Sequence, residues 1–111
     1  GIIDEAFVDF QGCITNIIIP NSVRTIATHA FAHNINLLSI TIPNSVTNIG
    51  YDVFKKSTNL KQIYLEEGSS LTDECFYDSY HVNLHPNCKI IRTKFENGLP
   101  VIPEEEQPNN N

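Results

Sequence analysis

The sequence has no methionine and no tryptophan, and its seven lysine and arginine residues are outnumbered by thirteen aspartate and glutamate residues. The formal net charge of −6 argues against a nucleic-acid groove and against a surface for anionic lipids, because both need clustered basic side chains. The missing methionine leaves the sequence without a start residue. We therefore expect a processed product or a piece of a longer protein, with Gly1 as a candidate tag remnant.

Long apolar segments are also missing. The longest aliphatic run is Ile17–Ile19, far short of the roughly 20 residues that cross a membrane. The chain does not open with the charged segment and apolar stretch of a signal peptide. We predict no membrane insertion within this chain.

Cysteine is scarce, with three residues: Cys13, Cys75 and Cys88. An odd and low number does not make a disulfide framework. We expect reduced, half-buried thiols that fill small core positions, and a single Cys75–Cys88 bridge is the alternative. The cysteines do not identify the redox compartment.

What the sequence does have is an internal repeat. Ile40-Thr41-Ile42-Pro43-Asn44-Ser45-Val46 repeats Ile17-Ile18-Ile19-Pro20-Asn21-Ser22-Val23 with an offset of 23 residues, and Ile63 to Ser69 is a worn third copy. An earlier unit with one inserted residue and a last unit that loses register near Leu84 bring the total to about four. The apolar positions of the two best units are Ile26, Phe31, Leu37, Ile40, Ile42 and Val46, then Ile49, Phe54, Leu60, Ile63 and Leu65.

Each unit contains the signals of short elements. The Ile-x-Ile alternation predicts a short half-buried strand, and Pro-Asn-Ser predicts the turn that ends it. Val46 to Ile49 predicts a second, very short strand. Tyr51 to Lys56 predicts one helical turn that presents Val53 or Phe54 inward. One unit cannot bury its apolar face alone, so we predict a solenoid of stacked units, within the repeat length of about 20–29 residues that leucine-rich repeats have.

The recurring pattern, with its Ile-Pro-Asn-Ser-Val block, resembles the BspA-type (Treponema-like) leucine-rich repeats over roughly residues 2–87. The family carries Ala-Phe in the helical turn, as in Ala30-Phe31, and often Cys three residues later. Asn34, Ser57 and Ser79 stand at that position here, where a small polar side chain would bond the backbone of a neighbouring turn. The resemblance implies a surface or secreted protein of bacteria or protists that contacts host proteins, matrix or other cells.

The domain organisation predicted from the period has three parts. Residues 1–87 form about four leucine-rich repeats, residues 88–101 a capping segment, and residues 102–111 a disordered tail. Within the capping segment, Lys89 to Phe95 predicts a strand that covers the last turn. The chain starts inside a unit, so we expect further repeats or a cap before Gly1, and we expect the exposed solenoid ends to be a route to self-association.

The strand face opposite the core holds the candidate binding residues. Alternate side chains of each strand point away from the core, and the period of the repeat stacks them into two rows. The alternative is that these residues only satisfy β-propensity on an exposed face. The first row is Asn16, Ser39 and Gln62, and the second row is Ile18, Thr41 and Tyr64.

Two histidine pairs have the four-residue spacing of metal ligands on a helix. They are His29 with His33, and His81 with His85, the latter followed by Cys88. The first pair has no nearby Cys, Asp or Glu in sequence and the second is interrupted by Pro86, so we expect solvent-exposed histidines and no metal or other cofactor.

The acidic clusters are interpreted as solvated faces, because a stack of small turns offers no enclosed pocket that would separate two carboxyl pKa values. The sequence has no glycine-rich phosphate loop and no nucleophile signature.

The sequence therefore predicts a non-catalytic, protein-binding leucine-rich-repeat module, displayed at the cell surface or secreted, that functions in adhesion or in contacts with host or matrix. The alternative is a cytoplasmic scaffold, or a structural repeat segment of a larger assembly. We predict a protein partner and no nucleic-acid partner.

Overall fold

A computed structural model describes residues 14–77 and 88–107, together with the backbone of residues 2–3. Its elements are short strands and two 3-10 helices, with no α-helix among the described residues. The strands are β1 (Ile2–Ile3), β2 (Asn16–Ile18), β3 (Thr25–Ile26), β4 (Ser39–Ile42), β5 (Asn48–Ile49), β6 (Gln62–Glu66), β7 (Lys89–Thr93), β8 (Phe95–Glu96) and β9 (Leu99–Pro100), and the 3-10 helices are Asp73–Phe76 and Glu104–Glu106.

Two parallel sheets follow the period of the sequence. One has the order β1-β3-β5, and the other has the order β2-β4-β6-β7. In the larger sheet Ile17 is the register partner of Ile40, and Ile40 is the register partner of Ile63. Each strand therefore pairs with its counterpart in the next unit. Ile63 then faces Ile90 of β7, a connection longer than one period. The predicted repeat fold and the strand predicted after residue 88 are thus both found.

The core lies between the two sheets and the turns that join them. Ile40, Ile42, Ile63 and Leu65 point into it from the larger sheet. Val46 N–H donates to the Pro43 carbonyl at 3.2 Å, and the turn predicted after the strand is closed by this bond. The aromatic rings of the repeated turns stack along the core, with 6.0 Å between ring centroids for Phe31–Phe54 and for Phe54–Phe76.

The helical turn predicted in each unit is wrong for Tyr51 to Lys56, which forms a series of tight turns. Asp52 has φ of 49° and Lys56 has φ of 62°, and an L-residue in this left-handed region interrupts a right-handed helix. His29 and His33 occupy the equivalent positions one unit earlier and have φ of 63° and 64°. The left-handed residues therefore recur with the repeat.

The hydrogen bonds of these turns explain why no helix forms. N–H groups of His29 and Phe31 donate to the carbonyls of Tyr51 and Val53 in the next unit, at 3.0 Å each. A helix would use the same N–H groups within its own segment. In the last unit Asp73–Phe76 does form a 3-10 helix. Both Val53 and Phe54 are buried, where one inward residue was predicted.

The small polar position after the turn links adjacent units, as predicted. Ser57 Oγ donates to the Phe31 carbonyl at 2.7 Å and accepts from Asn34 N–H at 3.0 Å. Ser57 and Asn34 are both buried and are one period apart. This side chain therefore takes part in the hydrogen bonding of two units.

Candidate binding face

The face of the larger sheet opposite the core is here called the outer face. Its first row is Asn16, Ser39 and Gln62, continued by Lys89, and its second row is Ile18, Thr41 and Tyr64, continued by Ile91. The strand pairing stacks the six predicted binding residues in the predicted order. Within the first row, the Ser39 hydroxyl donates to Asn16 Oδ1 at 2.6 Å.

The exposure of the outer face is uneven. Ile18 has 47% of its surface exposed, while Thr41 has only 3% and Ile91 only 7%. Neither Thr41 nor Ile91 belongs to the core cluster between the sheets. Burial away from the core means that another part of the chain covers this side of the sheet.

A β-hairpin accounts for part of that cover. Strands β8 and β9 pair antiparallel through Asn97-Gly98, whose φ angles are 55° and 79°. Two successive positive φ angles are typical of the type I′ turn, for which Asn-Gly is the preferred sequence. Strand β9 contacts β6, and Phe95 and Leu99 line a common cavity with Ile18 of β2. The hairpin therefore reaches from β6 to the cavity beside Ile18 of β2. Since β4 lies between these two strands, we attribute the burial of Thr41 to the hairpin.

The segment after the hairpin returns along β6 and β7. Thr93 Oγ1 donates to the Val101 carbonyl at 2.6 Å, and Val101 N–H donates to the Lys94 carbonyl at 2.9 Å. Lys89 Nζ then lies 3.1 Å from Glu106 Oε2. Burial, and next the nearby Glu106 carboxylate, raise the pKa of Tyr64. We call residues 94–107 the C-terminal strap.

One cavity, of about 420 Å³, lies between the strap and the open end of the outer face. Ile18 and Pro43 line it from the sheet side, and Phe95 and Leu99 line it from the strap. Glu66 is also in its wall, and its carboxylate accepts a hydrogen bond from Asn44 N–H at 2.9 Å. The cavity thus has a mixed lining, with apolar side chains on both sides and polar groups that include Asn21, Asn97 and the Glu66 carboxylate.

The sequence predicted residues 88–101 as a capping segment, but not that residues 94–107 lie across the outer face. The Asn97-Gly98 pair between Phe95 and Leu99 is a hairpin signal in the sequence itself. Glu104–Glu106 forms a 3-10 helix within the segment predicted to be a disordered tail. Residues 108–111 of that segment lie outside the described part of the chain.

The structure describes some of the histidines and cysteines singled out in the sequence. His29 Nε2 lies 3.8 Å from Asp52 Oδ2, and the described residues contain no group of three or more His, Cys, Asp or Glu that could hold a metal ion. His81, His85 and Cys13 lie outside the described residues. Cys75 and Cys88 are free, half-buried thiols, as expected, and burial raises the pKa of Cys88 to about 11.

Comparison with known proteins identifies the repeat. The family model for the BspA-type leucine-rich repeat region matches residues 2–97 in six copies. The chain belongs to the BspA-type leucine-rich repeat family. The match extends past the residue 87 that the sequence resemblance reached and includes β7 and β8. A search of curated proteins and of solved structures found no match.

Membership of the BspA-type leucine-rich repeat family supports one part of the predicted function, that of a protein-interaction module. Repeat modules of this family often take part in protein interactions, are typically non-catalytic, and are common on surface or secreted proteins. Within the described part of this BspA-type chain, no helix has the length and apolar character needed to span a membrane.

Proposed function

We propose that this chain is a non-catalytic module that binds a protein partner through the outer face, in adhesion or in contact with host or matrix at the cell surface. The observation that carries the proposal is the register of the larger sheet. It aligns Asn16 with Ser39 and Gln62, and Ile18 with Thr41 and Tyr64. Aligned rows on successive repeats give an extended surface of the kind that repeat proteins use for partners.

Ile18 is the residue of this face with the strongest case for contact. It is a large aliphatic side chain that is half exposed on the second row, and it opens onto the cavity next to Leu99. A few well-packed side chains near the centre of an interface supply most of its binding free energy, and charged side chains are depleted there. Thr41, which is buried, would instead support the shape of the surface.

We further propose that the units of this chain stack as a solenoid. Two features support it: the parallel pairing of each strand with its counterpart, and the stacked rings of Phe31, Phe54 and Phe76. Repeats that contact only their neighbours make a quasi-one-dimensional stack. In a longer stack the two rows of the outer face would lengthen with each added unit.

The test is solid-phase binding of the chain to a panel of matrix proteins and cell surfaces, with two variants. Ile18→Glu places a charge on the outer face. Tyr51→Glu is the matched control, since Tyr51 is another exposed apolar side chain, with 77% of its surface exposed, and lies in a turn away from this sheet.

We expect Ile18→Glu to lower binding at least tenfold and Tyr51→Glu to leave it unchanged, while both keep the circular dichroism of the unmodified chain. Equal binding by all three proteins would remove the outer face from the proposal. No binding by any of them would favour the alternative, a scaffold or structural repeat segment.

A further inference from the structure

We propose that the outer face binds an extended, acidic, proline-containing segment of its partner protein, and that the chain's own C-terminal strap occupies the same place until that segment displaces it. This inference rests on the proposed function, since it names the kind of partner that the outer face accepts. It starts from the fact that the strap already lies on this face.

The composition of the strap shows what the face accepts. From Leu99 to Gln107 it reads Leu-Pro-Val-Ile-Pro-Glu-Glu-Glu-Gln, an apolar and proline-rich part followed by a run of carboxylates. The apolar part lies over β6, where Tyr64 and Ile91 face each other in the second row. In the acidic part, Glu106 forms an ion pair with Lys89, the residue that continues the first row. The face therefore presents apolar side chains and then a cation along one direction.

The contacts that hold the strap are of a kind that a competitor can replace. The Val101 carbonyl accepts a hydrogen bond from Thr93 Oγ1 of β7, whereas the Val101 N–H donates within the strap, to the Lys94 carbonyl. Its acidic end is held by the Lys89–Glu106 ion pair, whose lysine is exposed to solvent. Exposed ion pairs contribute little stability and leave both charges available to other partners.

Exposed apolar side chains on the strap fit the same interpretation. Leu99 and Ile102 are both exposed, although each belongs to the segment that covers the face. A strap that served only as a permanent cap would be expected to bury such side chains. A partner segment with larger apolar groups in these places would bury more of Ile18 and of the cavity wall, and would gain from that burial.

The test uses the full chain and, as probe, a fluorescein-labelled peptide with the sequence of residues 99–107. Glu106→Lys replaces the ion pair at Lys89 with a repulsion and releases the strap. Glu105→Lys is the matched control, because it makes the same charge change at the neighbouring exposed residue. Lys89→Glu removes the cation that the peptide needs.

Loss of an exposed ion pair shifts an equilibrium by about two- to fivefold. By fluorescence polarisation we therefore expect Glu106→Lys to bind the peptide about two- to fivefold more tightly than the unmodified chain and Glu105→Lys. A peptide with lysine in place of its last glutamate should lose affinity for Glu106→Lys and gain affinity for Lys89→Glu.

Nitration of Tyr64 by tetranitromethane, mapped by mass spectrometry, gives an independent readout. We expect it to rise by a similar factor in Glu106→Lys and in Lys89→Glu, since both break the ion pair that holds the strap, and to stay unchanged in Glu105→Lys. Equal peptide affinities for Glu106→Lys and Glu105→Lys, or unchanged Tyr64 nitration in Glu106→Lys, would overturn the proposal.

The peptide assay and the binding panel can fail separately. If binding to the panel is lost in Ile18→Glu but the peptide results are negative, only the assignment of the partner's chemistry fails. If the peptide results are positive and panel binding is absent, the proposed adhesive role fails and the strap assignment stands.

Discussion

Replacing Ser57 with alanine tests whether hydrogen bonds between units hold the repeat together. Ser57 is 1% exposed, and its hydroxyl serves a carbonyl and an N–H group of the preceding unit, at 2.7 and 3.0 Å. Alanine removes the partner of both bonds at a buried site. Each loss destabilises by about 1–2 kcal/mol, so we expect Ser57→Ala to lower the free energy of unfolding by about 2–4 kcal/mol.

Urea unfolding followed by circular dichroism measures this difference, with the slope against urea concentration as a check that the same surface is exposed. Thr58→Ala, at the neighbouring exposed position, is the control and should change the free energy by less than about 0.5 kcal/mol. Ser57→Cys keeps a weaker donor and acceptor of similar size and should lie between the two. A loss below about 0.5 kcal/mol for Ser57→Ala would refute the reasoning.

Three further changes follow from the packing and from burial. Phe54→Ala removes the middle ring of the aromatic stack and should lower the free energy of unfolding in urea by about 3–5 kcal/mol, whereas Tyr51→Ala should change it by less than about 0.5 kcal/mol. Gly50→Ala would place a Cβ 2.2 Å from the backbone nitrogen of Thr28, and we expect a loss of about 1–3 kcal/mol in the same assay. In a variant whose other cysteines are serine, Cys88 should react with iodoacetamide as a thiol of pKa about 11, so its rate keeps rising above pH 9. Because the folded pKa of Cys88 is raised, the stability that its protonated thiol contributes is complete below the unfolded pKa of about 8.5 and is lost as the pH rises through about 11. An iodoacetamide reaction rate that levels off near pH 9 would contradict the raised pKa.

The strand register was predictable from the sequence because two periods act together. Side chains alternate between the two faces of a strand, and the repeat places equivalent residues of successive units side by side. Knowing that Ile40 and Ile63 are one period apart was therefore enough to predict which outward residues share a row. The rows were found as predicted from Asn16 to Gln62 and from Ile18 to Tyr64.

The form of the turns was not predictable in the same way. A short segment with an apolar pair such as Val53-Phe54 fits a helical turn and a tight turn equally well, because both bury the pair. What decides between them is where the backbone N–H groups donate, and those of His29 and Phe31 donate to carbonyls of the next unit. Bonds between residues so far apart in sequence leave no local pattern.

The strap combines a local signal with a long-range placement. Asn97-Gly98 predicts a hairpin on its own, but neither residue indicates which surface the hairpin covers. The placement depends on the contact of β9 with β6 and on the pairing of Lys89 with Glu106. The sequence contains seven basic and thirteen acidic side chains, and nothing in the sequence alone selects Glu106 as the partner of Lys89.

The burial pattern of the outer face adds an observation that β-propensity does not address. High β-propensity explains why Ile18 and Tyr64 occur in strands, but it says nothing about which part of the row is covered. The row is half exposed at Ile18 and buried at Thr41 and at Ile91. A surface that already binds an extended segment of its own chain has the shape and chemistry to bind another, and so the open end at Ile18 is where a competing segment would first make contact.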